Sequence, residues 1–195
     1  QDQVLGLQLY FTLLNGSGEI VSDAQIESAS ILLEDGSRYE AQAEQANSPF
    51  YVVLALDASG SMGGMSATMQ QAAVNLVRSA SSAVRFNVVR FNENVDTLMQ
   101  DFTSDQNRAI NAISEVNAVN LSGTCLYDAL YNSLDLLNQA PNGRRAIILF
   151  TDGRDETQSG SACSQHTLDE VVTYATASAS PVPIYTIGLR GGQNI

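Results

Sequence analysis

The stretch from residue 51 to residue 62, YVVLALDASGSM, constrains the fold of this chain more than any other. It opens with a continuous apolar run, residues 51–56, that is rich in aromatic and β-branched side chains. Such a run is typical of a strand buried on both faces, as in a parallel sheet covered by helices. It therefore predicts an α/β architecture in which strands and helices alternate along the chain.

The apolar run ends in three oxygen-bearing side chains at alternate positions, Asp57, Ser59 and Ser61. Turns at the carboxyl ends of central strands are the usual binding sites of open α/β sheets. Oxygen ligands in such a turn suit a hard divalent cation. Asp and Ser are also common helix N-caps, so the triplet alone leaves both interpretations open.

Two later stretches favour the metal interpretation. Thr124 precedes a helical pattern, and a second buried-strand run, residues 146–150, leads into the tripeptide TDG. Together with DASGS, these stretches resemble the von Willebrand factor A domain family, whose metal-ion-dependent adhesion site combines a DxSxS motif with a distant threonine and a distant aspartate. The resemblance assigns five metal-site residues to this chain: Asp57, Ser59, Ser61, Thr124 and Asp152.

The same resemblance implies a doubly wound, mostly parallel, Rossmann-like α/β sheet flanked by helices. The predicted strands are 51–56, 85–91, 95–102, 146–150 and 184–189, and the predicted helices are 65–83, 104–116, 125–138 and 167–179. We expect strand 95–102 to be an antiparallel edge, Ser104 to be an N-cap, and strand 184–189 to be buried. The closing helix, strand and helix of the family are missing, so we expect a C-terminally incomplete domain.

The first 48 residues differ in pattern from the rest of the chain, because they contain no helical pattern of useful length. Their strand-like patterns lie at 4–14, 26–33 and 38–43. A hairpin is expected at Asp35-Gly36, since this dipeptide favours tight turns. Three strands are marginal as an independent fold. We therefore predict a β module or β extension at 1–48, followed by the A domain at 49–195.

The two cysteines fall next to the predicted metal loops. Cys125 follows Thr124, and Cys163 lies in the polar loop after Asp152, so both are expected at the same end of the sheet. We expect a disulfide between them, with two buried thiols or a redox or metal role as alternatives. A disulfide would imply an exported protein.

The predicted ligands are two carboxylates and three hydroxyls. This oxygen-only set favours Mg²⁺, Mn²⁺ or Ca²⁺ over softer metals. In the family, the cation keeps one position open for an Asp or Glu of a partner protein. The resemblance implies that Ser59 and Ser61 contact the cation directly. Asp57 and Asp152 would act partly through water, and Thr124 would contact the ion when a ligand is engaged.

Composition and motifs narrow the functional classes to which the chain can belong. The chain has 21 acidic and 9 basic residues, and this acidic balance disfavours a nucleic-acid partner. No apolar run approaches the ~20 residues that span a bilayer. His166 is the single histidine, and we predict an exposed position at a helix start rather than a ligand. With no activated nucleophile and no phosphate-binding glycine loop, we predict a binding protein rather than an enzyme.

The predicted function is cation-dependent protein binding in adhesion or surface assembly, located outside the cell or at the cell surface. One alternative is a cytoplasmic scaffold of an ATPase or chelatase-type complex, where A domains also occur. Another is a structural subunit of an extracellular fibre. Self-assembly is expected along strand 184–189, because an unpaired apolar edge promotes association.

Overall fold

The computed structural model describes residues 13, 15–17, 21, 26–42, 48–177 and 181–189. The chain divides into two compact units, residues 1–47 and 48–195. A separate role for each unit stays a prediction.

In the first unit, two strands form an antiparallel hairpin. They are β1 (Ala29–Leu32) and β2 (Arg38–Ala41). Gly36 in the turn has a φ of +86°, a left-handed conformation that glycine adopts without strain. The hairpin predicted at Asp35-Gly36 is thus confirmed. The strand predicted at 4–14 lies outside the described residues, apart from Leu13.

In the second unit, five strands form one sheet in the order β5-β4-β3-β6-β7. They are β3 (Phe50–Asp57), β4 (Val84–Phe91), β5 (Val95–Thr97), β6 (Arg144–Thr151) and β7 (Ile184–Gly188). β3 is parallel to β4 and β6, β6 is parallel to β7, and β5 is antiparallel to β4. This sheet confirms the predicted fold class, including the antiparallel edge.

Helices cover both faces of the sheet. They are α1 (Ser66–Ser79), α2 (Gln106–Ser114), α3 (Leu126–Gln139) and α4 (Leu168–Thr176). Successive residues of a strand point to opposite faces. Leu54 therefore joins a core with Met69 and Ile113, and Val53 joins the other core with Leu134. Burial on both faces explains the unbroken apolar run of β3. No helix in the described part of the chain has the length and apolarity to cross a membrane.

Two predicted boundaries were wrong. α2 is capped by Asp105 rather than Ser104, because the Asp105 carboxylate accepts hydrogen bonds from the amides of Asn107 and Arg108. β5 spans only three residues. Beyond it, the chain returns to β4 through an isolated bridge between Thr103 and Phe86, and no regular ladder continues to residue 102.

The start of α4 agrees with prediction. Thr167 caps the helix, and its side chain and that of Glu170 satisfy each other's backbone amides in a capping box.

The predicted burial of the last strand was also wrong. Tyr185 of β7 is 58% exposed and Ile187 is 36% exposed. β7 pairs with β6 along one side and lies at the edge of the sheet in the described residues. The apolar composition of the strand therefore does not translate into burial, because the described helices pack over the central strands.

Candidate metal centre

Asp57 ends β3 and forms the floor of the predicted site. Its side chain is fully buried. One carboxylate oxygen, Oδ1, accepts from the Ser59 amide at 2.8 Å. The other, Oδ2, accepts from the Thr151 hydroxyl at 2.5 Å. Burial raises the pKa of Asp57, and the nearby charge of Asp152 raises it further, although the hydrogen bonds from Ser59 and Thr151 act in the opposite direction.

Hydroxyl groups connect the loop after β3 to the loop after β6. The first loop, residues 57–64, brings Ser59 Oγ within 3.1 Å of Ser61 Oγ. Ser61 Oγ in turn donates to Asp152 Oδ1 at 2.9 Å, in the third loop, residues 152–166. Asp57 and Ser59 are buried, whereas Ser61 and Asp152 are exposed. The group therefore has a buried floor and an open mouth.

Thr124 lies in the second loop, residues 117–125, and faces the third. Its backbone amide and carbonyl both pair with Glu156, at 2.8 and 3.1 Å. A Cβ added to Gly153 would lie 3.7 Å from Thr124 Oγ1, which places this hydroxyl beside the residue that follows Asp152. Within the described part of the chain, the Thr124 hydroxyl donates no hydrogen bond to the other four predicted ligands.

Two glycines allow these loops to pack closely. A Cβ on Gly123 would lie 2.7 Å from the Glu156 carbonyl oxygen, so no larger residue fits without a backbone shift. Gly60 packs against the second loop, since a Cβ there would lie 3.2 Å from the Leu121 nitrogen. Its amide also donates to the Ser122 carbonyl at 3.0 Å. The first and second loops are therefore in direct contact.

A disulfide joins Cys125 to Cys163, with Cα atoms 4.8 Å apart and a sequence separation of 38. It links the end of the second loop, directly after Thr124, to the third loop. On the chain-entropy model, closing a loop of this size stabilises the folded state by about 3–4 kcal/mol.

Two carboxylates hold the third loop in place, and sequence reasoning missed both. Asp155 accepts from the amides of Cys163 and Ser164, each at 3.1 Å, and from the Ser164 hydroxyl. Asp128, in the first turn of α3, accepts from the amides of Gln165 and His166. Although burial acts to raise it, these hydrogen bonds hold the pKa of Asp128 below its usual value.

His166 is more engaged than the sequence suggested. Its Nδ1 lies 2.7 Å from Asp128 Oδ1, and its ring stacks on Tyr131 with centroids 3.8 Å apart. The residue does precede a helix, as predicted, but it is only partly exposed. The sequence signal for this contact was Asp128 itself, an acidic residue in the first turn of α3, because a carboxylate at that position can accept hydrogen bonds from loop amides.

The five predicted ligands fit a hard cation chemically. Asp57 and Asp152 repel each other, and neither forms an ion pair with a described residue. A cation placed between them would relieve this repulsion. Over the described ranges, no three His, Cys, Asp or Glu side chains cluster as a metal site, so the candidate donors here are two carboxylates and three hydroxyls. This donor set suits Mg²⁺, Mn²⁺ or Ca²⁺.

The fold and these loops agree with the family comparison. The model of the von Willebrand factor type A domain matches residues 52–154, more than half of the chain. The chain therefore belongs to the von Willebrand factor type A domain family. No curated protein matches it.

Several solved structures share the fold. The chain is 19% identical to the conserved hypothetical protein BatB from Bacteroides thetaiotaomicron, with a TM-score of 0.58 over 71% of this chain and 66% of that one. A von Willebrand factor type A protein from Catenulispora acidiphila gives 19% identity and a TM-score of 0.56 over 72% of this chain and 33% of that one. The PilB minor pilin from Streptococcus sanguinis gives 19% identity and a TM-score of 0.51 over 61% of this chain and 33% of that one. The chain thus spans between a third and two thirds of these proteins, and the likeness is one of fold.

Proposed function

We propose that this domain binds a partner protein through a divalent cation, Mg²⁺ or else Mn²⁺ or Ca²⁺, and that an Asp or Glu of the partner completes the cation's ligand shell. The observation that carries the proposal is the hydrogen bond between Ser61 and Asp152, residues 91 positions apart in sequence. It brings two of the predicted ligands together at an open mouth above the buried Asp57.

The predicted ligands would contact the cation in different ways. Ser59 and Ser61 would contact the cation directly. Both carboxylate oxygens of Asp57 already accept hydrogen bonds from the protein, which supports a role partly through water. Asp152 would act in the same way, and Thr124 would join when the partner is engaged. The cation would attract a further anionic oxygen, because its direct ligands Ser59 and Ser61 carry no charge and the two carboxylates would act partly through water.

The arrangement favours binding over catalysis. His166, the single histidine of the chain, is held by Asp128 and stacked on Tyr131. In the described part of the chain, the hydroxyls of Ser59 and Ser61 bond to each other and to Asp152 rather than to His166, so no histidine activates them as nucleophiles. The disulfide supports a location outside the cell or at the cell surface, since such bonds persist in oxidising compartments. The shared fold of a minor pilin is compatible with surface assembly, in which a further copy of the chain would be another partner.

Selection from a phage-displayed library of random heptapeptides tests the proposal. The chain is immobilised in Mg²⁺, and bound phage are eluted with EDTA. Eluted peptides should share an Asp or Glu, and synthetic versions with Asn or Gln at that position should bind at least about tenfold more weakly.

Two variants accompany the selection. Asp57→Ala should retain no EDTA-eluted peptides. Asp101→Ala, an exposed acid grouped with Tyr51 at the opposite end of β3, should behave like the wild type. Peptides that Asp57→Ala retains equally well, or that EDTA fails to elute, would contradict cation-dependent binding.

A further inference from the structure

Leu121 combines two features that seldom occur together in a leucine. Its side chain is 85% exposed. Its backbone is left-handed, with a φ of +59°, and in the described part of the chain it is the only residue other than glycine with a positive φ. A leucine in this conformation crowds its own backbone, whereas Gly or Asn would fit with little strain. Core packing explains neither feature, because the side chain lies in solvent.

The backbone on both sides of Leu121 is fixed against the first loop. The Val119 amide donates to the Ala58 carbonyl at 2.8 Å, and the Gly60 amide donates to the Ser122 carbonyl at 3.0 Å. The Leu121 nitrogen itself would lie 3.2 Å from a Cβ on Gly60. The strained conformation is therefore held by contacts to the loop that carries the predicted ligands.

The exposed Leu121 consequently lies on a loop segment that packs against Gly60, the residue before Ser61, whose hydroxyl bonds to Asp152 at the open mouth. Val119, two residues before Leu121, is also 46% exposed. Binding surfaces combine apolar contacts with a few polar groups that fix orientation. Strained backbone that the surrounding structure maintains is concentrated at functional sites.

We propose that Leu121 is a specificity-determining contact that binds a large apolar side chain next to the partner's acidic residue. This inference rests on the proposed function and names the partner's chemistry. The carboxylate would anchor the partner segment at the cation. An aliphatic or aromatic neighbour would then remove its own surface and that of Leu121 from water. Segments with a polar residue in its place would gain nothing from Leu121.

The heptapeptide selection in Mg²⁺ with EDTA elution provides the test, now read for the residues flanking the acid. Wild type and Leu121→Met should both enrich large apolar residues within two positions of the Asp or Glu. Leu121→Asn introduces a residue that tolerates the left-handed backbone conformation. The urea midpoint of this variant should therefore equal or exceed that of the wild type. It should lose the enrichment and bind a selected synthetic peptide about tenfold more weakly.

Val172→Asn is the matched control, because it removes a 50% exposed apolar side chain from α4. It should bind the same peptide as the wild type does. Cation-dependent peptides without an apolar preference, or equal binding by Leu121→Asn, would overturn the role of Leu121 and leave the proposed function standing. Failure of the wild type to select any EDTA-eluted peptide would overturn both.

Discussion

Asp57 shows how the burial of a single carboxylate affects the stability of the metal-free domain. The carboxylate is removed from water, and burial together with the charge of Asp152 raises its pKa. Keeping this group ionised therefore costs folding free energy when no cation is present. A bound cation would reverse the balance, because it stabilises the ionised form.

The first prediction concerns this cost. In EDTA at neutral pH, Asp57→Asn should unfold at a higher urea concentration than the wild type, because Asn carries no charge to bury. The folded-state pKa of Asp57 lies above its unfolded value. The wild type therefore regains stability as the pH falls from the raised value through the ordinary value of about 3.9, and the advantage of Asn disappears. Urea midpoints measured across this range test it. A variant less stable than the wild type at neutral pH would contradict the electrostatic cost.

At the same scale, the sequence could identify some site residues and not others. Asp57, Ser59 and Ser61 follow directly after a buried strand, so their position is a local property of the sequence. Asp155 and Asp128 bond to amides 8 to 38 residues away. The position of Asp128 in the first turn of α3 is a sequence signal for a capping carboxylate, but it does not identify the distant amides that the carboxylate accepts from. Leu121 shows no sequence signal, because its exposure and its backbone angle depend on how two loops meet.

Among elements, the second and third loops are joined by covalent and hydrogen-bonded links, and their described residues contain no helix or strand beyond the isolated bridge between Thr124 and Glu156. The disulfide ties the second loop to the third, and Asp155 and Asp128 hold the amides of residues 163–166. The candidate ligand Thr124 directly precedes Cys125 in the second loop, and Asp152 lies at the start of the third loop. The relative position of these two ligands should therefore depend on the disulfide and on the hydrogen bonds to Asp155 and Asp128.

The second prediction follows from the disulfide. Replacing both Cys125 and Cys163 by Ser should lower the free energy of unfolding by about 3–4 kcal/mol. Urea unfolding of the oxidised wild type and the double variant measures the difference, with the reduced wild type as the control for the substitutions themselves. Labelling of both thiols by a maleimide in urea without reductant would show that the bond is absent.

Element boundaries illustrate where sequence patterns stop being decisive. The strands and helices of the second unit were predictable because their apolar periodicity is strong. Ser104 and Asp105 are both good N-caps, and only the two amides that reach Asp105 select between them. β7 is apolar in composition, but its exposure depends on what lies over the sheet edge, which composition does not encode.

For the molecule as a whole, the exposed edge strand β7 predicts self-association in solution. β7 presents Tyr185 and Ile187 to solvent next to its unpaired side in the described residues. Apolar edge strands with free backbone groups promote pairing with another chain. Self-association of the 195-residue chain along this edge therefore stays a prediction of the fold.

The third prediction tests this edge. The chain should self-associate at micromolar concentration, and Tyr185→Lys should reduce the association, because a charge on an edge strand opposes pairing. Sedimentation velocity measures both. Leu168→Lys, which places the same charge at a 51% exposed leucine on α4, is the control and should associate like the wild type. A sharp monomer peak for the wild type would show that the edge does not act in this way.

The most direct test of the central claim is isothermal titration of Mn²⁺ into the wild type, Asp57→Ala and Asp101→Ala. One site should be observed in the wild type and in Asp101→Ala, since that exposed acid lies at the other end of β3. Asp57→Ala should bind at least about tenfold more weakly, because it removes one of two carboxylates from an oxygen-only site. Equal Mn²⁺ affinity in the wild type and Asp57→Ala would contradict the assignment of this loop cluster as a cation site.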